Sequence, residues 1–202
     1  MNAPASIAAP LSDAVGRIED DARVDAVVRG IDPVAQQIGA SRWGPVLRGE
    51  WLGHTLHPML TDIPIGCWTS SMILDLIGGR RARSSSQRLI GVGLLSLGPT
   101  AAAGMVDWAE LPDQPRRRVG VVHAVANTTA GLLYLLSWRA RKKGRHARGV
   151  VIGLAGAAVA SVAGHLGGHL VFARGAGIGD RGLEGTVVPP VEDEALAGKI
   201  GG

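Results

Sequence analysis

Four apolar runs constrain this chain more than any other feature: Pro58–Ile77, Leu89–Val106, Val119–Trp138 and Val150–Phe172. A hydrocarbon core about 30 Å thick takes roughly 20 helical residues at about 1.5 Å rise each, and each run comes near that length. The runs carry almost no charge except Asp62, Asp75 and, at the end of the second, Asp107. A soluble bundle would carry a polar face on every helix. Short connections between the runs make each helix antiparallel to the next. The expected fold is therefore all-α: a transmembrane up-down-up-down four-helix bundle over residues 51–173. A short amphipathic preface (1–50) precedes it and a flexible tail (174–202) follows.

Composition agrees. Hydrophobic residues make up 46% of the 202, with 30 glycines and a net charge of only +4. The basic residues are clustered in connections, which suits a membrane orientation signal better than a nucleic-acid footprint. The single cysteine, Cys67, excludes an internal disulfide and any cysteine-rich metal site, and reads as a small buried hydrophobe. The start of the chain lacks the basic region and long apolar core of a cleavable signal peptide. In the preface, Asp13–Val28 has an amphipathic helix pattern that should end at Gly30, and Asp32-Pro33 could open a second short helix through Gly39. Neither is apolar enough to span; both could lie on the membrane surface or on the bundle.

The connection after the first run holds Arg80, Arg81, Arg83 and Arg88, and the one after the third holds Arg139, Arg141, Lys142, Lys143, Arg145 and Arg148. The positive-inside rule places both in the cytoplasm and both termini outside. Arg116, Arg117 and Arg118 in the middle connection run against this, offset in part by Asp107, Glu110 and Asp113. Trp51 and Trp108 would mark the outer interface, Tyr134 and Trp138 the inner one.

Up-down alternation brings the start of the first run, the end of the second, the start of the third and the end of the fourth to one level. His57, His123, His165 and His169 all fall there, with His54 just above; His146 is left in a basic loop, solvated. Ionisable groups inside a membrane are costly, so such a cluster points to function. Each histidine tops a stripe at helical spacing: His57, Thr61, Pro64, Trp68, Ser71 and Asp75; His123, Asn127 and Gly131; His165 and His169 above Ser161, Ala157 and Gly153. Pro64 and Pro99 should kink their helices.

Neutral imidazole ligates haem iron, copper and zinc. Two histidines on facing helices could hold a b-type haem, with His57, His123 and His169 preferred and His165 next. Arg116, Arg117, Arg118 or Arg174 could meet the propionates, and Asp62, Asp107 and Asn127 could orient the imidazoles. Copper or zinc held by His57, His123 and His169 is the alternative, and a hydrogen-bonded polar cap or proton relay without cofactor is the third. No serine, cysteine or phosphate-binding glycine motif stands in a persuasive catalytic context; Gly175–Gly179 follows a span and reads as linker.

The ordered set Trp51-Leu-Gly-His-Thr-Leu-His-Pro-Met-Leu-Thr-Asp-Ile-Pro-Ile-Gly, Leu74-Asp-Leu-Ile-Gly, Gly104-Met-Val-Asp-Trp, Val122-His-Ala and Gly167-Gly-His-Leu-Val resembles an uncharacterised bacterial four-span membrane domain, a domain of unknown function. The likeness covers roughly residues 30–195. In many relatives that domain precedes a Rieske-type iron–sulfur domain, so the resemblance implies an electron-transfer setting. Relatives usually read His-Pro at both histidines of the first motif; here Thr55 follows His54, while His57-Pro58 keeps the pattern. Residues 186–200 are similar to the linker into the Rieske domain, but no cluster-binding Cys-x-His pair follows.

Taken together, these features lead to the expectation of a multi-pass protein of the bacterial inner membrane that binds haem b near the outer face. It would exchange electrons with quinone or a separate, possibly Rieske-type, redox protein, alone or within an oligomer or larger complex. A copper- or zinc-binding membrane protein or transporter and a cofactor-free anchor of a redox complex are the rivals.

Overall fold

The computed structural model describes residues 8–173. Every regular element among them is helical: α1 (Ala8–Asp20), α2 (Asp25–Ala40), a single turn α3 (Gly44–Leu47), then four long helices, α4 (His57–Ile77), α5 (Arg83–Ala109), α6 (Gln114–Lys142) and α7 (His146–Gly168). A π-helical turn, His169–Ala173, continues α7. Each of the four apolar runs is one long helix, as its length required. Three stretches are long and apolar enough to cross a membrane: Arg80–Ala109, Gln114–Lys142 and His146–Phe172. The helix α4 is not among them; His57, Asp62 and Asp75 and a run of small polar residues interrupt its apolar positions.

Local chemistry sets the ends. Pro58 opens α4 in its first turn, where a missing N–H costs nothing. Asp113 caps α6 by accepting the Arg116 backbone N–H at 3.0 Å, with Pro115 next to it. Gly144 at φ +73 lets the chain reverse between α6 and α7. The helices pack as two hairpins, α4 on α5 and α6 on α7, which meet through α5–α6 and α4–α7 contacts.

The preface lies on the bundle. Val15 of α1 is buried with Val119, Leu166 and Leu170, and Val28 and Ala35 of α2 with Trp108, Leu111 and Val121. Its break falls at Asp21, not at Gly30. There the Asp21 carboxylate accepts the Arg23 N–H at 3.0 Å and starts a tight turn, Ala22–Val24. Arg118 holds both sides of the break, donating to the Glu19 carbonyl at 2.6 Å and to both Asp25 oxygens at 2.7 and 2.9 Å. Pro33 does not start a helix; it sits exposed inside α2.

The aromatic belt drawn from the sequence is corrected. Trp51 is exposed (66%), but Trp108 is buried beneath the preface, its Nε1–H donated to the Arg117 carbonyl at 3.0 Å. Tyr134 is buried too, stacked on Trp68 with ring centroids 3.9 Å apart. Position along a run gives depth but not rotation about the helix axis, and both side chains turn inward onto protein.

Candidate functional site

The first turn of α4 carries His57 and the second turn of α6's apolar part carries His123. Their rings meet edge-on between the hairpins, centroids 6.3 Å apart and planes at 81°. Each ring is fixed the same way. His57 Nδ1 lies 2.9 Å from the Thr100 carbonyl on α5, and His123 Nδ1 lies 2.8 Å from the Ala163 carbonyl on α7. A carbonyl only accepts, so Nδ1 carries the proton in both rings, and in the neutral imidazole Nε2 carries the lone pair. One helical turn beyond each carbonyl stands a glycine against the ring. A Cβ on Gly104 would come 2.8 Å from His57 Cε1, and one on Gly167 would come 2.9 Å from His123 Cε1. Asn127 donates from Nδ2 to His123 Nε2 and to the His123 carbonyl, both at 3.0 Å.

Thr100 serves twice. Pro64 has no N–H for the Leu60 carbonyl four residues earlier. The Thr100 hydroxyl lies 3.3 Å from that oxygen and 2.8 Å from the Ser96 carbonyl.

The other predicted residues lie elsewhere. His165 and Asp62 are exposed. His169 meets α1, its Nε2 3.2 Å from Glu19 Oε1. His54 is exposed, bonded to the carbonyl of Thr55. Asp107 is half-buried on α5. Arg117 binds the preface and the α5 end: Asp32 at 3.1 Å and the carbonyls of Leu111 and Ala109. Arg116 is paired through Nε with Asp113 Oδ2 at 3.4 Å. Arg174 lies outside the described residues. Among the described residues no three or more His, Cys, Asp or Glu converge as a metal site.

At the opposite end of the bundle is a cluster the sequence reading missed. Arg141 donates to both Asp75 oxygens, at 2.8 and 2.6 Å, with side chains only 3% and 6% exposed. Ser86 donates to Asp75 at 2.7 Å and accepts from Arg141 at 2.9 Å; its one proton is thus committed, so Ser71 donates to it at 2.9 Å. Ser137 accepts from Arg141 Nε at 3.2 Å and donates to the Gly149 carbonyl at 2.6 Å. His146 is not a solvated loop residue: it begins α7, with Nε2 3.7 Å from Asp75 Oδ1. Arg141 had been counted as a loop cation because basic residues surround it. The available signal was Asp75, a charge at helical spacing below Ser71 that demanded a partner at its own depth.

No curated protein and no solved structure matches the chain. Residues 53–180, more than half of it, match the family described as Predicted membrane protein (DUF2231). The matched segment contains both histidines of the pair, both glycines behind them and the whole Asp75–Arg141 network. The chain belongs to that family of predicted membrane proteins.

Proposed function

We propose that this protein is a four-span electron-transfer protein of the bacterial inner membrane, in which His57 and His123 ligate the iron of one b-type haem. One observation carries the reading. The His57 and His123 rings lie 6.3 Å apart, centroid to centroid, near enough that both could hold one metal between them. The donor chemistry fits: both Nδ1 protons are given to carbonyls, which orients the rings and raises ligand basicity. A pair without a third protein ligand suits iron in a macrocycle, which brings its own four equatorial nitrogens, better than tetrahedral zinc or a three-ligand copper site. Arg116 lies two turns before His123 on the same face of α6, where a guanidinium could meet a propionate.

When bound, the haem would supply one-electron chemistry, with His57 and His123 as the residues that would hold it, so the proposed function is electron transfer. The chain's own residues hold the rings in place and exclude water from them. The electron partner is a quinone or a separate redox protein. Orientation follows the basic connections, which lie in the cytoplasm. Arg117 and Arg118 no longer oppose that, since Asp32 and Asp25 neutralise them.

The second reading is a cofactor-free anchor. The Asn127 amide, which engages His123 Nε2, favours it. A reduced-minus-oxidised visible spectrum of detergent-purified protein, expressed with haem precursor, separates the two. Sharp bands of a six-coordinate b haem are expected; a featureless spectrum leaves the anchor.

A further inference from the structure

Residues that meet across the two hairpins occupy matching places within them. His57 and His123, Trp68 and Tyr134, Ser71 and Ser137, and Asp75 and Arg141 are each 66 positions apart. Three of these pairs touch each other: the two imidazoles, the stacked Trp68–Tyr134 rings, and the Asp75–Arg141 ion pair. The second helix of each hairpin repeats at a spacing of 63. Gly104 and Gly167 back the imidazoles, Gly93 and Gly156 back the Trp68 and Tyr134 rings, and Thr100 and Ala163 supply the carbonyls. Ser86 and Gly149 stand at the same spacing, against Asp75 and Arg141.

We infer that the domain is one helical hairpin in duplicate, its halves related by an approximate two-fold axis running along the helices, and that His57–Gly104 and His123–Gly167 are equivalent half-sites closing on one ligand on that axis. Side chains that touch a two-fold axis meet their own counterparts. That suits paired aromatics and paired imidazoles. It forbids two buried carboxylates or two buried guanidiniums, which explains why the charged position is Asp in one half and Arg in the other. Both hairpins start at the same end, so the repeat is parallel and its axis lies along the span direction. The ligand class follows, resting on the haem reading above. An on-axis haem would be held by His57 from one half and His123 from the other, and would supply one-electron chemistry there. Gly104 and Gly167 are then matched positioning residues.

Two experiments on the full chain separate the duplication from the cofactor. The first exchanges Trp68→Tyr with Tyr134→Trp. Each single variant leaves a mismatched stack, too small or too large. The exchange restores one of each ring, each against a glycine. The double variant should melt closer to the parent than either single; a double variant no better than the worse single overturns the duplication. The second is haem retention in His57→Ala and His123→Ala. Equivalent half-sites predict the same loss in both, within about twofold, with the remaining histidine giving the same five-coordinate spectrum. Loss from one variant only overturns the equivalence. Haem absent from the parent overturns the ligand, while the ring exchange still decides the duplication. Should the exchange fail to assemble, Asp75→Arg with Arg141→Asp asks the same question, because the flanking Ser71, Ser86 and Ser137 hydroxyls serve either charge.

Discussion

Arg141 reaches from α6 to Asp75 on α4 and spends two of its three nitrogens on that carboxylate, at 2.8 and 2.6 Å. The third, Nε, goes to Ser137, so every nitrogen of the guanidinium has a partner inside the protein. Removing one partner strands the other charge. Asp75→Asn or Arg141→Met alone should destabilise by about 3–5 kcal/mol, while an apolar pair at both positions should recover most of the loss. Thermal melts of the three variants in detergent check this; additive losses would mean the pair is not coupled.

Gly104 and Gly167 leave no room for a methyl. Alanine at either drives a Cβ to within 3 Å of an imidazole and forces the ring to move. Each variant should cost about 1–3 kcal/mol by overpacking and shift the haem midpoint potential in the same direction. A potential unchanged in both would remove the glycines from the site.

The Thr100 hydroxyl gives its one proton to the Ser96 carbonyl at 2.8 Å and lies 3.3 Å from the Leu60 oxygen that Pro64 leaves without a helical donor. Thr100→Val keeps the shape and the carbonyl that orients His57, but takes that proton from both oxygens. Stability should fall by about 1–3 kcal/mol with iron content unchanged. Differential scanning calorimetry and iron analysis on one sample test both halves.

The preface is held by charge. Arg118 beside Asp25 keeps that carboxyl below the usual carboxylate range. A depressed folded value gives stability that is complete above the unfolded pKa of about 3.9 and lost as pH falls through the lower, folded value. Proteolysis near Asp21–Val24 should therefore stay slow at neutral pH and accelerate below about pH 4. In Asp25→Asn it should be fast already at neutral pH. Equal rates at both pH values in the parent would show that the clamp does not hold the preface.

The four helices could be read from run length alone, because hydrophobic length is a one-dimensional quantity. His57, His123 and Asn127 were found because depth and helical spacing are too. Partner choice was less legible. His165 and His169 share the depth of the pair but face away, one to the outside and one to Glu19, since rotation about a helix axis is set by packing. Arg141 was hidden among basic neighbours, and its role emerged only once Asp75 had a position. The 66-residue repeat is written in the sequence, but as matched functions (His with His, Trp with Tyr, Asp with Arg) and not as identical residues.

The most direct measurement is haem iron per chain in the purified parent and in His57→Ala, His123→Ala, His165→Ala and His169→Ala. Near one iron per chain is expected in the parent and in the last two variants, with strong loss in the first two. Haem retained without His57 and His123, or no haem in the parent, would contradict the proposed ligation.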